Sequence, residues 1–284
     1  MPDVLLATDA EHADLTEDDG YLVRALAERG LSTAPAVWND AGVDWGAARI
    51  VVIRSVFDYI HDRDAFCGWA EAVEAVTPIH NPARVIRWNS HKSYLAELER
   101  RGIPIVPTAW LDAGSSADLG EVMEANGWAD VVVKPAVDNG ARGSMLVRGD
   151  AVAEGQRHLE RLLATRDVMI QPYISAIEGP GEHKMIHIDD RLSHTIREFP
   201  RLGGREFVMD RIELIDPEPE EAALAARVLA LLPESPLLYA RVDTVVEDGV
   251  ARLMELEVTE PVLFFTKHPA AAATMAAAIS GRLA

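Results

Sequence analysis

Short apolar runs alternating with amphipathic segments open the chain. Residues 3–8 read as a strand, 18–29 as a helix stopped by Gly30, and 33–38 as extended structure again. IVVIRS at 50–55 is apolar enough for burial between helices, and a helix is expected from about 62 to 76. This βαβαβ order predicts a small open parallel sheet at the start of the chain. The signals then change. Asn81-Pro82 marks a turn, and a helix is expected over 90–100, ended by Gly102 and Pro104. VPTAWL, a helix near 116–126, DVVVKPA and SMLVRG follow in alternation, and a helix over 151–164 precedes VMIQPYI at 168–174. Strands at about 182–188 and 191–199 form a hairpin around Asp189-Asp190, and helices are expected near 218–231 and 269–281. The second half is therefore mainly antiparallel sheet with helices, and there is no internal repeat.

The sharpest departure from this pattern is YARVDTVVEDGVARLMELEVTEPVLFF at 239–265, where Asp243, Glu255 and Glu257 interrupt strands that otherwise read as buried. Carboxylates are rarely buried unpaired, so three of them near Arg241 call for cations. A two-residue turn at Asp248-Gly249 pairs 247 with 250 and 243 with 254, which sends the acidic pairs to opposite faces. A three-residue loop, or a bulge, sets Asp243 opposite Glu255 and Arg241 opposite Glu257. Only that register gathers the charges, and it is the one expected. A solvated edge hairpin with ordinary salt bridges is the alternative.

Composition narrows the partners. The chain has 284 residues and 31.0 kDa, room for two or three small cores, and 49% hydrophobic content suits a globular protein. A formal charge of -19, from 46 acids against 27 bases, excludes nucleic acid and anionic membranes as partners. An anionic substrate then needs local Lys, Arg or magnesium. Cys67 is the only cysteine, which excludes an intrachain disulfide and a thiolate zinc cluster. The spacing of His183, His187 and His194 compels no zinc site. MPDVLLATDA lacks a basic region followed by a long apolar stretch, so a cytoplasmic location is expected.

Several segments carry candidate chemistry. Ligands of open parallel sheets bind beyond the strands' carboxyl ends, which makes Arg54, Ser55, Asp58 and Tyr59 of RSVFDY substrate-site candidates, with helix capping as the alternative for Asp58. VVVKPAVDNGARGSMLV at 131–147 joins two strands through a glycine-bearing loop whose backbone N–H groups can hold phosphate oxygens. Lys134 stands at the loop entrance, and Arg142 and Ser144 add donors. The loop lacks GxxxxGK[ST], so it is no Walker-type site. Lys92 opens the helix expected at 90–100, where an anionic ligand would offset its clash with the helix dipole. Both lysines also read as ordinary surface residues. Gln171 could read a purine edge, and Glu182 is expected to face Arg197 across the 182–199 hairpin. Oxygen-only acidic ligands favour magnesium, which bridges phosphates.

Together RSVFDY, NPARVIRWNSHKSYL, VVKPAVDNGA, QPYI, GEHK, SHTIREFP, RVD and MELEVTEP resemble, over nearly the whole chain, the ATP-grasp superfamily. Within it they are similar to the small bacterial amino-acid ligases of secondary metabolism, the cyclo-ligases of cycloserine biosynthesis among them. The resemblance implies an α+β fold, two α+β subdomains clasping ATP, preceded by a small open parallel-sheet domain. The expected divisions are 1–85, 86–170 and 171–284. By the same resemblance Lys92 and Lys134 contact ATP phosphates, Gln171 lies by the adenine, and the loop with Asn139, Gly140, Ala141, Arg142 and Ser144 covers the triphosphate, with Glu182 also on the nucleotide. Asp243, Glu255 and Glu257 carry Mg2+, which Mn2+ could replace, and Arg241 lies beside the reacting phosphoryl group. Glu257 stands where many such ligases have asparagine, Arg197 replaces a lysine, and Lys184 replaces a serine, so Arg197 and Lys184 join Arg241 as catalytic candidates near the acceptor pocket. The implied reaction activates a carboxylate of a small amino-acid-like substrate as an acyl phosphate for attack by an amine, within one molecule or between two. A phosphotransferase or a catalytically inert nucleotide-binding protein are the alternatives, and a homodimer is compatible with the ligase reading.

Overall fold

The computed structural model describes residues 1–140, 142–199 and 212–284. β1 (Val4–Thr8), α1 (Glu17–Glu28), β2 (Thr33–Val37), β3 (Ile50–Ile53), α2 (Arg63–Glu74) and β4 (Ile79–His80) build a parallel sheet in the order β2-β1-β3-β4. Alternate residues explain its two covers. Val4, Leu6, Ile50 and Val52 share a core with Leu22 and Leu26 of α1, while Leu5, Ala7, Val51 and Ile53 share another with Phe66, Ala70 and Val73 of α2. α1 starts at a reciprocal cap, in which the Thr16 hydroxyl accepts from Asp19 N and the Asp19 carboxylate accepts from Thr16 N.

The chain continues into α3 (Ala83–Asn89) and α4 (Tyr94–Arg100). One helix over 90–100 was expected; the structure has two, broken where the Lys92 N–H leaves the helical ladder to bond Ala136 O at 2.8 Å. Lys92 therefore sits in the break and not at a helix start. Val85, Leu95 and Leu98 pack both helices against the last sheet.

β5 (Ala109–Leu111), α5 (Leu119–Asn126), β6 (Val131–Pro135), β7 (Met145–Val147), α6 (Val152–Leu163) and β8 (Val168–Pro172) form an antiparallel layer ordered β5-β8-β6-β7. Val131, Val133 and Ile170 meet α5 and α6, so by alternation Lys134 and Gln171 face the other way. Strand β8 straddles the division expected between 170 and 171.

β9 (Glu182–Ile188), β10 (Arg191–Glu198), β11 (Ile212–Ile215), α7 (Pro219–Leu229), β12 (Tyr239–Glu247) and β13 (Val250–Glu257) make the third sheet, ordered β11-β10-β9-β12-β13. Met185, Val242 and Leu256 pack toward α7 and α4. The opposite face is split lengthwise. Ile186, Ile188, Ile196 and Tyr239 at one end join the core of the N-terminal sheet, while Glu182, Lys184, Arg241 and Asp243 occupy the other end. The last helix, α8 (Ala270–Leu283), returns to pack Ala272, Met275 and Ile279 into that N-terminal core.

Candidate active site

The site begins with a register problem in the β12–β13 hairpin. Asp248 and Gly249, at φ of +50° and +75°, form a two-residue turn that pairs Glu247 with Val250. Left regular, that turn would put Asp243 opposite Met254. The register instead shifts after Thr244↔Leu253, so Asp243 pairs with Glu255 and Arg241 with Glu257, leaving Met254 as the extra residue of a bulge. Of the two devices expected from the sequence, the bulge is the one used. Asp243 also lies opposite Lys184 of β9, which aligns Lys184, Asp243 and Glu255 across three strands.

A second bulge overturns the pairing expected for β9 and β10. The pairs run Leu192↔His187 and then His194↔Ile186, so Ser193 is extra and every later partner moves by one. Glu182 faces Glu198, not Arg197. Arg197 sits opposite His183 on the far face of the sheet and is held by Glu213, with Nε 3.1 Å from Oε2. The structure therefore does not bring Arg197 to the carboxylates. Glu198 occupies the site face instead, with Oε2 3.4 Å from Lys184 Nζ.

Each carboxylate on this face has a basic neighbour. Lys184 Nζ lies 2.8 Å from Asp243 and 3.2 Å from Glu182. Arg241 Nη2 lies 2.8 Å from Asp243 and 2.5 Å from Glu257, and Lys92 pairs with Glu255. Burial opposes the charge on Lys184, yet the Asp243 and Glu182 carboxylates hold its pKa above the usual lysine value. Buried Asp243 and half-buried Glu255 are held below the usual carboxylate range, against desolvation, by Arg241 with Lys184 and by Lys92 with Lys134 respectively. Carboxylates still outnumber cations here. Burial and neighbouring carboxylates push Glu257 up to about 7 and Glu260 up to about 8. Among the described residues no three His, Cys, Asp or Glu side chains are gathered closely enough to hold a metal ion as they stand.

Lys134 is different. Its side chain leaves β6 on the face opposite α5 and α6 and forms no ion pair or hydrogen bond among the described residues, and burial together with Lys92 lowers its pKa. Gln171, buried on the same face, donates to Thr108 Oγ1 at 2.9 Å. In the loop beyond β6, Gly140 has φ of +59°, and a Cβ on Gly143 would come within 2.7 Å of the Pro135 ring. Asp138 accepts from Gly143 N at 3.2 Å, and Asn139 donates to Phe57 O at 2.6 Å, tying this loop to the RSVFDY segment. Arg142 is exposed and Ser144 half-buried beside this loop, and Ala141 lies outside the described residues.

Of the four substrate-site candidates from RSVFDY, only Tyr59 lines the pocket, together with Lys92, Asp138, Asn139, Glu255, Glu257 and Glu260. Arg54 is 2% exposed, with Nε 2.8 Å from Asp19 and Nη2 3.2 Å from Pro261 O. Ser55 Oγ donates to Asp19 at 3.0 Å, and Asp58 accepts from the Trp38 indole at 2.7 Å. These three brace the N-terminal domain. Asp19 stands 35 positions before Arg54, and no local spacing signals that pairing.

Similar proteins agree with this architecture. A crystal structure of an ATP-grasp protein with a RimK domain from Sphaerobacter thermophilus superposes with a TM-score of 0.71 at 18% identity, covering 96% of this chain and 98% of that one. A D-alanine–D-alanine ligase from Bacillus anthracis, solved with ATP, gives 0.69 at 16%, covering 100% and 97%. The fold is thus that of the ATP-grasp ligases, α+β with a preceding parallel-sheet domain. Residues 4–81 match the family model for the N-terminal domain of D-cycloserine synthetase DcsG. The crystal structure of D-cycloserine synthetase DcsG superposes with a TM-score of 0.92 at 29% identity, covering 99% of each chain. The chain is 31% identical to the cycloserine biosynthesis protein DcsG of Streptomyces lavendulae over 98% of both sequences, and it belongs to that family. It is an ATP-dependent ligase. Among the described residues no helix is long and apolar enough to cross a membrane.

Proposed function

We propose that this ligase joins a carboxylate to an amine of a small amino-acid-like substrate, as cyclisation or as condensation, at the cost of one MgATP. A carboxylate oxygen attacks the γ-phosphorus, ADP leaves, and an acyl phosphate forms. The amine nitrogen then attacks the acyl carbon, loses its proton, and expels phosphate. In this reading Lys92 and Lys134 hold the phosphates, Gln171 and the β8 backbone face the adenine, and Asn139, Gly140, Arg142 and Ser144 close over the triphosphate, with Glu182 at its edge. Arg241 and Lys184 offset charge that develops at the transferring phosphoryl group. No serine or cysteine nucleophile takes part.

The observation that carries the proposal is the Lys134 ammonium, unpaired among the described residues and half-buried in the field of Glu255, Glu182 and Asp138. A desolvated cation without a partner is a costly arrangement that an anionic ligand relieves. The donor set also fits a hard divalent ion: all-oxygen, with Asp243 opposite Glu255, Glu257 beside them, and a surplus of negative charge. Asp243, Glu255 and Glu257 would hold Mg2+, or Mn2+ in its place, which when bound neutralises phosphate charge. The proposed setting is cytoplasmic, where MgATP is supplied.

The test is incubation with MgATP and a panel of amino acids, with ADP measured and products identified by mass spectrometry. Asp243→Asn and Glu255→Gln should each abolish turnover while the circular dichroism spectrum stays native. Full magnesium-dependent activity in either variant would overturn the metal assignment, and a phosphorylated end product would replace the ligase reading by phosphotransfer.

A further inference from the structure

The polar side chains lining the pocket are nearly all committed elsewhere. Asn89 donates to Leu256 O at 2.7 Å and accepts from Val258 N at 3.1 Å. Ser90 accepts from Arg63, Asp138 from Gly143 N, and Asn139 reaches Phe57 O. Lys92 is paired with Glu255 and Arg241 with Glu257. Two remain. Glu260 is 6% exposed and Tyr59 5% exposed, and neither side chain makes a hydrogen bond or ion pair among the described residues. Buried carboxyl groups in folded proteins have partners, so an unpartnered one lining a pocket marks the place of a missing cation or donor.

Resting on the ligase reading, we propose that Glu260 and Tyr59 form the seat for the ammonium group of the amino-acid-like substrate. Charge favours a cation beside Glu260: Glu255 and Glu257 line the same pocket, and their own basic neighbours, Lys92 and Arg241, make no ion pair with Glu260. The phenol suits the role, because burial and then the Glu260 carboxylate raise its pKa well above the usual range and keep it neutral. A phenol oxygen and a carboxyl group, whose charged form an adjacent cation favours, offer acceptors to a group with three N–H donors. An α-amino acid seated this way carries its carboxylate two bonds from the nitrogen, in the pocket that Lys92 also lines. An ammonium held at Glu260 has no lone pair, so the nitrogen that attacks the acyl phosphate is a different one, elsewhere in the substrate or on a second molecule.

The test uses calorimetry on the full chain with Mg2+ and the non-hydrolysable analogue AMPPNP. The probes are D- and L-serine against 3-hydroxypropionate, and D-cycloserine against isoxazolidin-3-one, each pair differing only by the amino group. The wild type should prefer an amino-bearing probe by at least about tenfold, as expected for a charged hydrogen bond. Glu260→Gln should bring that ratio near one while AMPPNP affinity and its magnesium dependence stay unchanged, and Tyr59→Phe should reduce the ratio by a smaller factor. An unchanged ratio in Glu260→Gln, or a wild type that binds no amino-bearing probe, overturns the seat. A raised magnesium requirement in Glu260→Gln also overturns it, making Glu260 a metal ligand. Failure of the wild type to bind AMPPNP would sink the ligase reading instead.

Discussion

Asp19→Asn tests whether Arg54 braces the fold or waits for substrate. The guanidinium and carboxylate are both about 2% exposed and 2.8 Å apart. At that distance, with an effective dielectric near 20, their attraction is about 6 kcal/mol, much of which offsets the cost of burying them. Removing one partner strands the other, and the expected loss is about 3–5 kcal/mol. Asp18, also buried and acting on Arg54, keeps the loss toward the lower end. Urea unfolding followed by circular dichroism measures it, and the melting temperature should drop by about 6–10 °C. Arg54→Met should also destabilise, and the double variant should cost less than the sum, with a coupling of about 1–3 kcal/mol. Refutation has a definite form: Arg54→Met as stable as wild type, with a raised KM for the amino-acid substrate. Arg54 would then be the substrate ligand that its position beyond β3 suggests.

Lys134→Met removes an unpaired, desolvated cation, so thermal unfolding of the ligand-free protein should show equal or greater stability, while ATP affinity falls at least about tenfold in a titration with AMPPNP. His183 Nδ1 lies 2.7 Å from Glu221, which raises the histidine pKa above its usual value and, against the effect of burial, lowers that of Glu221. The protonated histidine's contribution is fully present below about 6.5 and lost as pH rises through the raised folded value, whereas that of Glu221 fails as pH falls through its lowered one. The stability gap between wild type and His183→Gln should thus be widest near pH 5–6 and narrow by pH 9, read from denaturation midpoints. Gly155→Ala should destabilise by about 1–3 kcal/mol in urea unfolding despite alanine's better helix propensity, because a Cβ there would come within 2.6 Å of Val147 and 2.7 Å of Leu119.

The N-terminal sheet was readable because its strands are unbroken apolar runs and its helices have the right period and stops. The β12–β13 register was readable for another reason: three carboxylates and an arginine tolerate only one shared face, so chemistry dictated the bulge. β10 had no such constraint. Nothing in RLSH marks Ser193 as an extra residue, so parity counted from the turn put Arg197 where Glu198 stands. The helix at Ala83–Asn89 was hidden by Asn81-Pro82, a dipeptide that reads equally well as a turn. Glu260 carried the same signal as Asp243, an acid within the apolar run VTEPVLFF, and identical reasoning finds it. The Asp19–Arg54 pair is tertiary, and only the folded chain reveals that Asp19 holds both Arg54 Nε and the Ser55 hydroxyl.

The return of α8 bears on how this family can be recombined. Sequence comparison recognises residues 4–81 as a module, yet one cover of its sheet is shared with Met275, Ala276 and Ile279, and Thr266 N bonds Asp18 at 3.0 Å. Exchanging the module between relatives without its distant helix would leave mismatched side chains along that shared core. A chimera that keeps its solubility therefore has to take the helix from the module's own parent, along with the residues of the third sheet that meet the same core, Ile186, Ile188, Ile196 and Tyr239.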